Sequence, residues 1–158
     1  MDAAAKPLEP GDPAPDFSLP TGAGEASLAD FAGRKLVLYF YPRDDTPGCT
    51  KQAAGFSEAL DAFEAAGASV LGVSRDTLAK HARFAGKHGL SVPLASDEAG
   101  AASEAYGVWK EKTLYGRTSM GIERSTFLID AEGRIARVWR KVRVPGHVDA
   151  VLEAVQAL

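Results

Sequence analysis

Residues 39–52 read YFYPRDDTPGCTKQ. The front of this stretch closes the apolar run LVLYFY, Leu36 to Tyr41. A continuous apolar and aromatic run of strand length, stopped by a proline, predicts a central strand covered on both faces. Beyond the DDTPG turn, Ala53, Phe56, Leu60 and Phe63 recur at helical spacing from Cys49 onward and predict one apolar face of a helix ending near Gly67. The chain's one cysteine therefore falls at or just inside the first turn of a helix that follows a buried strand.

Working outward, Ser69 to Ser74 (SVLGVS) reads as a second buried strand. Asp76 is a natural N-cap for a helix through Leu78, Ala82 and Ala85, closed by Gly89. Strand, helix, strand, helix in this order implies a parallel pair joined by a right-handed crossover. Farther on, STFLID and IARVWR flank a short turn at Glu132 and Gly133 and read as a hairpin. The last helix is expected from Gly146, with Val148, Val151, Leu152, Val155 and Leu158 on its buried side. The expected fold is α/β, a mixed sheet of about five strands with helices on both faces. Residues 1–15, rich in Pro, Ala and Gly, are expected to form an irregular lead-in to one domain spanning 1–158.

Composition narrows the function. With 18 basic against 21 acidic residues the chain is mildly acidic, the wrong balance for a general nucleic-acid binder. The cluster Arg137, Arg140, Lys141 and Arg143 reads as solvated charge blunting a sheet edge. No apolar run approaches the roughly 20 residues that span a bilayer, and no secretory signal is visible. The default expectation is therefore a cytoplasmic setting, and a single cysteine, which forms no internal disulfide, agrees with a reducing environment without establishing one.

A lone cysteine is ordinarily a buried small hydrophobe. Its place at a helix N-terminus argues for more, because unpaired N–H groups and the positive end of the helix dipole favour an anion there. A thiolate is such an anion, and a helix terminus with a nearby cation lowers a thiol pKa from about 8.5 toward roughly 4–7. Cys49 is thus a candidate nucleophile. Dithiol exchange needs a Cys-x-x-Cys pair, whereas Lys51 and Gln52 follow Thr50 here. A cysteine phosphatase places an arginine six residues on, where this chain has Gly55. The three histidines show no protease pattern: His81 and His88 read as helix-surface residues and His147 as a residue near the start of the last helix. No ligand spacing for a metal is present, and no cofactor is expected. What remains is attack on a small electrophile that needs no separate base, such as a peroxide, giving a sulfenic acid. That reaction requires donors for both peroxide oxygens and a fixed cation beside the sulfur, and Thr46 supplies a hydroxyl from the same turn. The cation should be an arginine, although sequence order alone does not choose which.

Pro42, Thr46 and Cys49 spell Pro-x-x-x-Thr-x-x-Cys, the signature of the peroxiredoxins. YFYPRDDTPGCT resembles the bacterioferritin comigratory protein, or peroxiredoxin Q, subfamily, and the likeness continues through LGVSRDTLAKHARF, VPLASD and YGRTSMGIERSTFLID to WRKV. The resemblance implies a thioredoxin-like fold and a thiol peroxidase acting on hydrogen peroxide and organic hydroperoxides. It implies Arg124, in the strand before FLID, as the cation, Pro42 as a shield for the thiolate and Tyr41 as a residue lining the approach, unless Tyr41 is plain core. It also implies recycling by thioredoxin or another external thiol, and leans toward a monomer. Members of this type carry a resolving cysteine at places held here by Ala54 and Ala85. A natural one-cysteine enzyme and a chain whose resolver was replaced by alanine both match this pattern. The alternative function is a thioredoxin-fold redox sensor or binding module without turnover.

Overall fold

The computed structural model describes residues 6–158; the first part of the lead-in, residues 1–5, lies outside them. In chain order the elements are β1 (Ser18–Thr21), β2 (Gly24–Ser27), a 3-10 turn (Leu28–Phe31), β3 (Lys35–Phe40), α1 (Pro47–Ala65), β4 (Ala68–Ser74) and α2 (Leu78–His88). They continue with β5 (Leu94–Ser96), α3 (Ala101–Ala105), β6 (Trp109–Leu114), β7 (Arg117–Ile122), β8 (Ser125–Ile129), β9 (Ile135–Trp139) and α4 (His147–Ala157).

The LVLYFY run is central for the reason its composition gives. β3 pairs in parallel with β4 on one side and antiparallel with β8 on the other. Alternate side chains go to opposite faces of a strand. Leu36, Leu38 and Phe40 accordingly enter one core with Phe127, Val73 and Tyr106, while Val37, Tyr39 and Tyr41 enter a second with Phe56, Phe63 and Phe84. The second core is roofed by α1, α2 and α4. The first is covered by α3 and by the lead-in, whose Ala14, Phe17 and Leu8 pack there and whose Pro15 carbonyl accepts the Tyr106 hydroxyl at 2.6 Å.

The principal sheet has seven strands, ordered β2-β1-β5-β4-β3-β8-β9, rather than five. The additional strands are short: β1 and β2 have four residues each and largely face solvent, and β5 has three. Such segments carry too little alternation to be read from sequence. β6 and β7 form a separate two-stranded hairpin, turned at Tyr115 and Gly116, both in the left-handed region at φ 52° and 75°. β9 ends the sheet and carries Arg137, so that part of the basic cluster does lie on an edge.

α2 begins one residue later than expected. Thr77, not Asp76, caps it by accepting from the Lys80 N–H at 3.2 Å, because the Asp76 carboxylate is engaged by Ser74 and the Asp44 backbone. Gly89 closes it at φ 62°, as the sequence predicts.

Candidate active site

The chain leaves the carboxyl end of β3 at Tyr41, makes the turn 42–46, and enters α1 at Pro47. This is the crevice where α/β sheets place ligands. Proline suits the first helical position because its missing N–H would have no partner there. The N–H groups of Gly48 and Cys49 precede the first intrahelical bond, from Thr50 to the Thr46 carbonyl at 2.8 Å. Cys49, a residue 1% exposed, thus sits in the one turn of α1 whose amides point at whatever lies beyond the helix end.

Arg124 comes from the opposite side. It is not in a strand, as expected, but in the two-residue connection between β7 and β8. Its carbonyl accepts from Val142 and the adjacent Glu123 N–H donates to Val108, so both peptide groups serve loops rather than a ladder. The guanidinium splits its two ends: Nη2 donates to Cys49 Sγ at 3.3 Å, and Nη1 donates to Gln52 Oε1 at 2.6 Å. Among the described residues no carboxylate pairs with it. Its charge is therefore directed at the sulfur. Gly48 permits this approach, since a Cβ there would stand 3.1 Å from Arg124 Nη2.

Thr46 is the N-cap of α1, yet its side chain makes no capping bond. Its hydroxyl donates instead to the Arg43 carbonyl at 3.0 Å. The lone pairs of that oxygen are left as acceptors for a proton-bearing ligand. Pro42 is exposed, at the solvent end of the turn. Tyr41 is buried, and its hydroxyl donates to Asp44 Oδ1 at 2.6 Å, which ties it to the turn rather than to the sulfur. Cys49 and Arg124 thus meet, and Pro42 and Thr46 lie on the turn that Tyr41 opens and that leads into α1. Ala54 and Ala85 are half-buried positions on α1 and α2.

Four side chains near this centre escaped the sequence reading. Gln52, fully buried one turn after Cys49, holds the guanidinium. Lys112 donates to the Ile122 carbonyl at 2.5 Å, and burial together with the Arg124 charge lowers its pKa. His147, at the start of α4 as expected, is buried, with Nε2 2.8 Å from Thr126 Oγ1. Burial and the nearby Arg124 push its pKa down to about 4. His81, expected on the surface of α2, is also buried, because Asp44 on the catalytic-side turn takes its Nδ1 at 2.6 Å. For Gln52 only its position at the third residue after the cysteine was a signal; the histidines' partners are too distant along the chain to be seen.

A solvent-excluded cysteine at a helix start, with a guanidinium on its sulfur and a hydroxyl acceptor one turn before it, can attack a polar two-atom electrophile and stabilise the anion that departs. The AhpC/TSA family model matches residues 10–138. The chain is similar to the peroxiredoxin Bcp of Xanthomonas campestris pv. campestris, 49% identical over 92% of each chain. Its fold matches that of a Xanthomonas campestris bacterioferritin comigratory protein solved as trapped intermediate and ligand complexes, with TM-score 0.84 and 47% identity over 89% of this chain and 90% of that one. It also matches a mutant of Xylella fastidiosa PrxQ, with TM-score 0.91 and 40% identity over 97% and 98% of the two chains. The fold is thioredoxin-like, and the chain belongs to the AhpC/TSA family, in its peroxiredoxin Bcp or Q branch.

Proposed function

We propose that this chain is a thiol peroxidase in which Cys49 is the nucleophile, Arg124 the electrostatic stabiliser, Thr46 and the first amides of α1 the peroxide ligands, and Pro42 the solvent-side cover of the turn. The observation that carries this is the 3.3 Å contact from Arg124 to the sulfur of Cys49, a residue only 1% exposed. The thiolate attacks one peroxide oxygen; an S–O bond forms, the O–O bond breaks, and the electron pair leaves on the other oxygen, which takes a proton to become water or an alcohol. Sulfur is oxidised by two electrons and the peroxide is reduced by two. The cation beside the sulfur also faces the developing oxyanion, where preorganised charge is worth most. Tyr41 acts through the turn rather than by lining the approach.

Organic hydroperoxides belong with hydrogen peroxide in the substrate class, since the Xanthomonas relative was solved in connection with alkyl peroxide reduction. With alanine at both 54 and 85, an outside thiol attacks the sulfenic sulfur, an S–S bond forms as the S–O bond breaks and water leaves, and a second equivalent of thiol releases Cys49 and a disulfide. We assign thioredoxin as that thiol. A reducing cytoplasm suits such recycling, and no described helix is long and apolar enough to cross a membrane. We treat the chain as one domain and a monomer, which light scattering checks directly.

Intact-mass spectrometry after one equivalent of hydrogen peroxide should show one added oxygen, absent in Cys49→Ser. Arg124→Ala should slow that oxidation about 10²- to 10³-fold. Slow modification indifferent to Arg124→Ala would overturn the reading. NADPH consumption coupled to thioredoxin or to glutathione then separates a catalyst from a sensor that is oxidised once.

A further inference from the structure

The turn 42–46 and helix α2 are parted by a cleft of about 590 Å³, lined by Arg43, Asp44 and Asp45 on the turn and by Lys80, Arg83 and Lys87 on the helix. Polar bridges cross it. At the surface, Asp45, in the left-handed region at φ 60°, accepts from Lys87 at 2.8 Å and His88 at 2.7 Å. Beneath, Asp44 Oδ2 meets His81 Nδ1 at 2.6 Å, Asp44 Oδ1 accepts the Tyr41 hydroxyl, and the Asp44 N–H donates to Asp76 at 2.8 Å. The other ring nitrogen of His81 lies 2.9 Å from the Ala95 carbonyl of β5.

A carbonyl only accepts, and an ionised carboxylate only accepts; a neutral imidazole has one N–H to offer. Both nitrogens of His81 can be satisfied only if both carry protons. We propose that His81 is a positioning residue for the thiol site: held as an imidazolium between the Asp44 carboxylate and the Ala95 carbonyl, it pins the turn that carries Thr46 to α2, and loss of its proton loosens that turn.

The surroundings favour the charge. Desolvation opposes it, but the Asp44 hydrogen bond and charge, the Ala95 carbonyl and the more distant Asp76 outweigh that and hold His81 above the ordinary imidazole range. Among the groups facing it, Asp44 and Asp76 are the acids, the Tyr41 hydroxyl lies 3.5 Å from Nδ1, and β5 brings only its carbonyl. Lys80, on the same helix, is exposed and 4.0 Å from Asp76, and the Thr21, Gly22 and Ala23 side brings no charge. When His81 deprotonates, one bond at 2.6 or 2.9 Å becomes a contact between lone pairs, whichever tautomer remains. The carboxylate, the stronger acceptor, keeps the remaining proton on Nδ1, so the Ala95 contact is lost and the bond to Asp44, two residues before Thr46, weakens from a charge-assisted to a neutral-donor one.

This rests on Cys49 being the reactive thiol, and its test reads the two separately. In the wild-type protein, ¹⁵N-resolved NMR of the histidine rings should show His81 doubly protonated at pH 7 and deprotonating above 6.5. A neutral His81 at pH 7 overturns the proposal whatever Cys49 does. Single-turnover oxidation of Cys49 by hydrogen peroxide should then be followed from pH 6 to 9.5. The wild type should lose rate on the alkaline side with the same midpoint as the NMR titration. His81→Gln, which keeps one donor, should be slower at pH 7 by about tenfold, as sub-ångström misplacement of reacting groups costs, and should lack the alkaline fall. A His81→Gln protein with the wild-type rate and profile, or a wild-type rate that does not fall with the NMR midpoint, refutes it.

Discussion

Gln52 places an amide at 0% exposure one helical turn beyond the reactive sulfur, with its Oε1 on Arg124 and, among the described residues, no partner for its Nε2. A buried amide with an orphaned donor costs stability, on the order of 1–3 kcal/mol. What it supplies is direction: by taking Nη1 at 2.6 Å it rotates the guanidinium so that Nη2 reaches Cys49. Gln52→Leu keeps most of the volume and removes the acceptor. We expect it to slow Cys49 oxidation about tenfold or more while leaving thermal stability near wild type, because one orphan (Nε2) vanishes as another (Nη1) appears. Gln52→Glu keeps the acceptor but adds a negative charge one turn from the thiolate, and should also be slow. Rates for both variants, measured in single turnover beside melting curves, check this; a Gln52→Leu protein oxidised as fast as wild type would show that Arg124 is aimed by its own backbone alone.

At the scale of elements, β3 and β4 lean on a glycine. Tyr39 and Gly72 are partners in the parallel register, and a Cβ at 72 would stand 2.6 Å from the Tyr39 hydroxyl oxygen and ring. Tyr39 has no room to retreat, since its ring stacks on Phe56 at 4.6 Å and its buried hydroxyl has no partner among the described residues. Gly72→Ala should therefore destabilise by about 1–3 kcal/mol, lowering the melting temperature by roughly 2–4 °C per kcal/mol. Adding Tyr39→Phe, which deletes the clashing and unsatisfied hydroxyl, should recover part of the loss in the same melting assay. The sequence shows such contacts poorly but shows their frame well. β3, β4, β8, β9, α1 and α4 are legible because their apolar residues recur at the period of the element, over enough length to exclude the other period. α2 is legible as a helix but not in phase: Leu78 is 38% exposed, while His81 and Phe84 are buried. Reading histidine as polar turned that face by one residue, since nothing local announces a carboxylate 37 residues away. In the site, Cys49 and Thr46 follow from the turn and helix start. Arg124 follows only from family likeness, because its approach depends on β7, β8 and the Val142 contact meeting in space.

Across the whole molecule, two buried histidines set opposite pH limbs. His147 packs edge-on against Trp139 at 5.8 Å and Phe56 at 6.4 Å, and burial with Arg124 nearby holds its pKa at about 4. Its folded value lies below that of the unfolded chain, near 6.5. The contribution is therefore complete above 6.5 and is lost as pH falls toward 4, where the unfolded chain binds a proton that the fold refuses. The loss is on the order of 3 kcal/mol over that interval, a large share of a stability of roughly 5–15 kcal/mol. For His81 the folded value is raised, so its contribution is complete below 6.5 and is lost as pH rises through the folded value. Together they predict a stability maximum near neutrality. Urea unfolding between pH 4.5 and 9.5 measures both limbs. His147→Gln should flatten the acid limb between 6.5 and 4.5, above the range where most carboxylates titrate, and leave the alkaline limb intact. His81→Gln should do the reverse. If wild type and His147→Gln lose stability in parallel between pH 6.5 and 4.5, His147 takes up its proton within the fold, and the acid limb belongs to other groups.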